Sequence, residues 1–347
     1  MKNNKHFINR TILVSVFLLA LVIALFWPMS KYIEAPGSAD DLSSFVKISK
    51  HPDKNKGSFM ITYVRISKAR PITMALAKLK PDYYSIESEE AVTGGQTGKT
   101  YEKVQNFYMQ SAINQAIATA YKAANKQVSR KYLGIYVLNI SKNSNFRSKL
   151  SVGDTVTRVN KQHFSSAYGF QKYIRKQKVN QKMTISFTHN GHSQQATGKL
   201  IDIAKGTPGI GITLTDNIKV HTKIPIKVNP GDIGGPSGGL MFSLQIYSQL
   251  TGKNIRHGQK IAGTGTINPD GSVGEIGGID KKIIAAHKAG AKIFFAPYLK
   301  PSKEVLKYEP NHLTNYEQAK KTAKKYAPGM KVVPVQTFKD ALDYLEK

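Results

Sequence analysis

Residues 12–27 read ILVSVFLLALVIALFW, and Ser15 is the one polar side chain among them. A segment without a polar stripe cannot lie half-buried on a globular core, because a surface helix needs one wet face. Its length sits between the ~7–15 residues of a signal-peptide core and the ~17–25 of a spanning helix. Phe7 and Ile8 extend it behind Asn9 and Arg10, and no small-x-small cleavage site follows at Pro28, Met29, Ser30, Lys31 and Tyr32. The reading is an uncleaved anchor. Lys2, Lys5 and Arg10 precede the run, while Lys31, Glu34, Asp40 and Asp41 follow it. By the charge rule the basic flank stays in the cytoplasm and the rest of the chain lies outside. The expected location is therefore a single-pass cell-membrane protein with its bulk extracellular.

The 347 residues are enough for two or three domains. With 40% hydrophobic and 21% charged residues the body reads as globular. Cysteine is absent, which excludes a disulfide scaffold, a thiol nucleophile and a cysteine-held metal. Against 22 acidic residues stand 51 Lys and Arg, a net charge of +29. Nucleic acid, an anionic membrane face or an anionic cell-wall polymer are the partners such a balance suits. The lysines are spread along the chain, with no zinc-finger spacing and no basic region leading into heptads, so nucleic acid is not expected. No HExxH pattern supports a metal site, and no cofactor is expected.

Residues 32–125 carry few signals and stand as an extracellular region of unassigned fold. Residues 58–66 (SFMITYVRI) alternate as a strand, and residues 111–124 have helical spacing. Between them TGGQTGKT (93–100) imitates a phosphate-binding loop. The Walker pattern needs four residues between its first glycine and Gly-Lys-Thr, but only three separate Gly94 from Gly98 and no apolar strand leads in. It reads as a surface loop, so the chain is expected to act without ATP.

Residues 126–205 form a β-rich module. YLGIYVLNI (132–140) and MTISFTHNG (183–191) read as strands, and residues 165–176 as a helix with Ala167, Phe170, Tyr173 and Ile174 on one face. The order resembles a PDZ domain, through Leu133-Gly134-Ile135 and the L-x-x-G-D-x-x-x-x-x-N stretch from Leu150 to Asn160. The resemblance implies that Leu133, Gly134 and Ile135 form the loop that receives a peptide as an added strand.

Two segments further on carry chemistry. In NPGDIGGPSGGLMFSLQIY (229–247) glycines and prolines crowd round Ser237, and an apolar helical run follows. A serine at a helix start lies beside unpaired N–H groups that can hold an oxyanion. In GTGTINPDGSVGEIGGIDKKIIAAHKAGAKIFFAP (263–297) a Pro-Asp-Gly turn leads to Gly277-Gly278 and a helix over 279–289 capped by Gly290. Lys281 and Lys282 start that helix, and adjacent side chains diverge by about 100°, so at most one enters a site. Neither His257 nor His287 can be promoted to a Ser-His-Asp arrangement by spacing. A turn serine and a solvated lysine remain an alternative on residues alone.

Together the two segments resemble the proteolytic domain of Lon-type serine–lysine peptidases, over about residues 209–345. GGPSGG is similar to the family's nucleophile motif and GEIGGIDKKIIAAHKAG to its lysine motif. With the anchor and the PDZ-like module, the chain resembles the membrane-anchored PDZ–Lon proteins of Gram-positive bacteria. The resemblance implies Ser237 as nucleophile, Lys282 as general base, Thr264 as its support, and Gly235, Pro236 and Gly238 around the oxyanion. Gly238 stands where alanine is usual and Gly235 where many members carry Asp; the role of nearby Asp232 stays open. The expected architecture is a multi-domain α+β chain: anchor (1–31), region 32–125, PDZ-like domain (126–205) and Lon-type α/β domain (206–347). The expected activity is ATP-independent serine endopeptidase action on peptides or proteins at the outer face of the membrane. The rival is a catalytically idle peptide-binding scaffold at the cell surface.

Overall fold

The computed structural model describes residues 2–307 and 312–347, with side chains from residue 12 onward except at 303 and 305. The basic flank of Lys2, Lys5 and Arg10 thus lies outside the described side chains. Helix α1 (Lys2–Phe26) leaves every described side chain of its apolar run exposed except half-buried Leu25. Among the described residues no helix is long and apolar enough to cross a membrane. The expected transmembrane helix is not carried by the described side chains: from Ile12 to Phe26 they fall short of the ~17–25 residues of a span.

Beyond α1 the chain enters β1 (Lys31–Asp41), β2 (Val46–Ile48), β3 (Ser58–Lys68), α2 (Pro71–Leu79), β4 (Ser85–Ser88), α3 (Glu89–Thr93) and the long α4 (Gly98–Ala123). The Walker-like stretch is two helix caps rather than a free loop. Gly94 closes α3 in the left-handed region (φ 59°), and Thr97 caps α4 by accepting from the Thr100 N–H. Glycine is suited to the first position and threonine to the second for these local reasons.

A second unit follows: β5 (Val128–Ile140), β6 (Thr155–Val159), β7 (Gln162–His163), α5 (Ala167–Arg175), β8 (Lys182–His189), β9 (His192–Lys199), β10 (Ile201–Ala204), β11 (Thr207–Gly209) and β12 (Ile212–Thr222). Its sheet has the order β12-β5-β6-β8-β9. Its own core gathers Val137, Phe146, Val156, Phe170, Ile185 and Phe187 with Ile210, Ile212 and Leu214. The module therefore does not end at 205, because β12 pairs antiparallel with β5 from Ile212↔Ile140 to Thr222↔Val128.

The chain then returns through β13 (Ile226–Val228), α6 (Gly239–Thr251), β14 (Lys260–Gly263), the short pair β15 (Thr266–Ile267) and β16 (Val273–Gly274), α7 (Ile279–Lys288), β17 (Ile293–Pro297), α8 (Lys303–Leu306), α9 (Asn315–Tyr326), β18 (Lys331–Val335) and α10 (Phe338–Leu345). A six-stranded sheet runs β18-β17-β14-β3-β1-β4. β14 pairs in parallel with β3 from Ser58↔Lys260 to Ile61↔Gly263, and β2 pairs with β13. Residues 31–123 are therefore the first half of the carboxy-terminal domain, not a separate region, and the β-rich unit is inserted between α4 and β13.

α6 is the centre of that domain. Every residue from Gly239 to Leu250 is buried, packed against Phe59, Ile61, Met109 and Ile113. Burying each large apolar side chain contributes roughly 1.5–3 kcal/mol, and the buried polar side chains of this helix have partners: Ser243 Oγ donates to the Gly239 carbonyl and Gln245 Nε2 to Asp53. Arg256, 1% exposed, is matched to Asp53 by two hydrogen bonds of 2.5 and 2.7 Å, tying the turn after β2 to the segment after α6. Burial alone would raise the Asp53 pKa, but the Arg256 guanidinium and Gln245 outweigh it and hold the carboxyl below its usual value.

Candidate active site

Ser237 sits in the turn that delivers the chain into α6. Gly235 occupies φ +86° and donates its N–H to the Gln105 carbonyl of α4 (3.0 Å). The Ser237 carbonyl accepts from the Gly265 N–H (2.8 Å) and from Thr264 Oγ1 (3.1 Å). Held at both ends, the turn projects the Ser237 side chain into an open cavity of about 960 Å³. A Cβ on Gly238 would approach Ile61 Cδ1 to 2.5 Å, so the glycine lets the helix start close over β3. Among the described residues, the Ser237 and Gly238 N–H groups donate to no protein acceptor. Both lie at the amino end of α6, where the dipole favours negative charge.

Lys282 arrives from α7. Gly278, the cap of that helix, has φ +68°, and a Cβ there would come within 2.2 Å of Glu34 Oε1. Lys282 Nζ is 2.9 Å from Ser237 Oγ and 3.2 Å from Thr264 Oγ1. It is 3% exposed, and this burial drives its pKa down to about 7, against an opposing pull from Glu34. Lys281 turns away and pairs with Asp280 (2.7 Å). Glu34 itself is raised by burial, an effect that Lys281 partly offsets.

The structure thus brings together Ser237, Lys282 and Thr264, with Gly235, Pro236 and Gly238 around them. Asp232 is exposed on the cleft wall and makes no bond to the dyad. Among the described residues no histidine lines the cleft: His257 contacts the Leu345 carbonyl. Sequence reasoning missed Gln105 and Gly265, which act through backbone hydrogen bonds, and Glu34, which acts on Lys282 through its charge; none of these leaves a motif. It also missed Asp40, Glu102 and Glu275, carboxylates that line the cleft together with Glu34, Asp232 and the basic side chains Arg65 and Lys282.

The expected peptide loop at Leu133-Gly134-Ile135 is corrected. These residues lie inside β5, with Gly134 opposite Asn217 and Ile135 opposite Asp216 and Val156. Gly134 has φ +141°, and a Cβ there would lie 2.4 Å from the Val156 carbonyl. The glycine serves strand packing, not access. A narrow groove of about 80 Å³ runs elsewhere, between α5 (Phe170, Ile174, Arg175) and Ile210-Gly211-Ile212. There β12 is the edge strand of its sheet. The same apolar-Gly-apolar pattern recurs at 210–212, and that repetition was the available signal.

The fold and the dyad define a serine-peptidase domain. The model for the Lon protease (S16) C-terminal proteolytic domain matches residues 170–337, and the model for the PDZ domain matches residues 117–200. Lon protease of Desulforamulus reducens is 36% identical over 115 residues, 29% of this chain and 14% of that protein. Lon protease of Campylobacter jejuni is 31% identical over 134 residues, 38% of this chain and 14% of that protein. The chain thus spans about one-seventh of the length of these relatives. The PDZ domain of an SdrC-like protein from Listeria monocytogenes is 38% identical, covering 24% of this chain and 90% of that one, with a TM-score of 0.24. The chain carries a Lon-type proteolytic domain and a PDZ domain.

Proposed function

We infer that the chain is a membrane-attached endopeptidase that hydrolyses peptide bonds outside the cytoplasmic membrane without ATP. The observation that carries the chemistry is a buried lysine in contact with a serine that faces an open cleft. Neutral Lys282 takes the Ser237 proton as Oγ attacks the substrate carbonyl, and the oxyanion rests on the Ser237 and Gly238 N–H groups. The lysine then gives its proton to the leaving amine, and water releases the acyl-enzyme by the same route. Thr264 holds Nζ on the line of attack. The Walker-like stretch caps two helices, which supports action without ATP.

The PDZ unit supplies peptide capture at the β12 edge, against α5. An extended segment adds there as a strand, with its side chains towards Phe170 and Ile174. The apolar, exposed face of α1 supports attachment to a bilayer. Incubating the purified chain with an unfolded protein, with and without Ser237→Ala, tests the reading. Cleavage by the parent alone supports it; absence of Ser237-dependent cleavage leaves a peptide-binding scaffold.

A further inference from the structure

Helix α2 is apolar on two opposite sides. Met74 and Ala77 face inward and pack with Ile33, Ala69 and Tyr84. Ile72, Leu76 and Leu79 are spaced i, i+4, i+7 and share the other side. There Leu76 is 45% and Leu79 77% exposed. A single exposed leucine is ordinary on a globular surface, but Leu76 and Leu79 lie side by side on one wet face, and a contiguous apolar patch marks an interaction surface.

This second face is continuous with the exit of α1. The Arg70 guanidinium lies 5.9 Å from the Phe26 ring, and the Met29 N–H donates to the Ala69 carbonyl (2.9 Å). Trp27 and Met29, between the two helices, are exposed as well. Cations surround the patch: Lys31, Arg70, Lys78 and Lys80 are all exposed. Lys68 stands on the neighbouring strand and is engaged by Glu89 (3.8 Å), while the nearby Asp82 is held by Lys325. Leucines flanked by long basic side chains and an exposed tryptophan are the composition of a helix lying at a lipid headgroup boundary.

We propose that α2 and the α1 exit form a docking face for an anionic lipid bilayer, with Ile72, Leu76 and Leu79 at the acyl boundary and Lys31, Arg70, Lys78 and Lys80 among the headgroups. The proposal rests on α1 being the lipid-attached end of the chain. It goes further, because a tether alone leaves the peptidase domain free to tumble, whereas a second contact fixes its orientation. The chain runs from the cleft at Ile66 to Arg70 beside the patch, a distance of about 13 Å at strand rise. The docked face would therefore hold the mouth of the cleft near the membrane surface.

The chain has no cysteine, so one introduced thiol takes one environment-sensitive dye. The full chain carrying Leu79→Cys, and a control carrying Ser193→Cys on the exposed β9, are labelled and mixed with vesicles of phosphatidylcholine, with or without phosphatidylglycerol. Flotation reads α1 attachment, and dye emission reads docking. The expected result is flotation of both chains, with a blue shift at position 79 only, stronger with phosphatidylglycerol and lost in the Lys78→Glu/Lys80→Glu background while flotation persists. Flotation with the position-79 dye still in water overturns the docking face and leaves the α1 reading standing. No flotation overturns both. A shift that ignores lipid charge and grows with protein density shows that a second copy covers the patch, which also overturns the proposal.

Discussion

Lys282 Nζ lies 2.9 Å from Ser237 Oγ across 45 positions of sequence, and both contact groups of the Thr264 strand end. Residues that act as one unit lose activity non-additively. Ser237→Ala and Lys282→Ala are each expected to lower kcat by at least about a thousandfold, and the double variant by little more. Lys281→Ala removes a group paired with Asp280, so it should alter stability more than turnover. Steady-state cleavage of a fluorogenic peptide checks all four.

The rate should depend on pH through Lys282. Its pKa lies near 7 in the folded chain because burial disfavours the cation. Cleavage is therefore expected to rise as pH passes about 7 and to level off above it. Glu34 favours the cation, so Glu34→Gln should move the midpoint to lower pH. An unchanged midpoint would remove Glu34 from any part in setting the lysine's charge.

The same shift links to stability. Lys282 has a depressed folded pKa, so its contribution is complete above the unfolded value of 10.5 and is lost as pH falls through about 7. Between those limits the parent should become more stable as pH rises. Lys282→Met lacks the titration and should exceed the parent in stability most clearly below pH 7. Urea unfolding across this range measures the difference.

Asp53 and Arg256 join the two halves of the peptidase domain across the inserted unit. Asp53→Ala leaves a guanidinium that is 1% exposed without its partner, at a cost of roughly 3–5 kcal/mol. Thermal unfolding should show a large fall in Tm for the peptidase domain.

Capture and catalysis should separate at the PDZ groove. Ile203 lines the groove and is 51% exposed, so Ile203→Asp is tolerated by the fold. Cleavage of a protein substrate should weaken mainly through KM, with a short peptide unaffected. Gly134→Val, in contrast, drives a side chain into the Val156 carbonyl and should unfold the unit. Deleting the unit would also strip Tyr136 and Leu138 from Val104 and Phe107 on α4, the helix that holds Gly235 through Gln105.

The local elements were legible from the chain alone. The glycines at 278 and 290 bracket α7, the Gly-Pro-Ser turn precedes α6, and residues 58–66 and 183–191 lie in or end strands, because capping and period-two alternation act over a few residues. The pairing of Ser237 with Lys282 came from the resemblance of two motifs to a family, since on residues alone a turn serine and a solvated lysine stood open as well. What tertiary structure decided was everything set by contacts between distant residues. The parallel pairing of Ile61 with Gly263 makes residues 31–123 half of the peptidase domain, and no local pattern announces a partner some two hundred positions away. Pairing of β5 with β12 buries Gly134 in a sheet and leaves the edge to β12, although 133–135 and 210–212 look alike as text. Lys281 and Lys282 have the same chemistry. They differ only in direction, by about 100° on the helix, and packing sends one to Asp280 and the other, stripped of water, to Ser237.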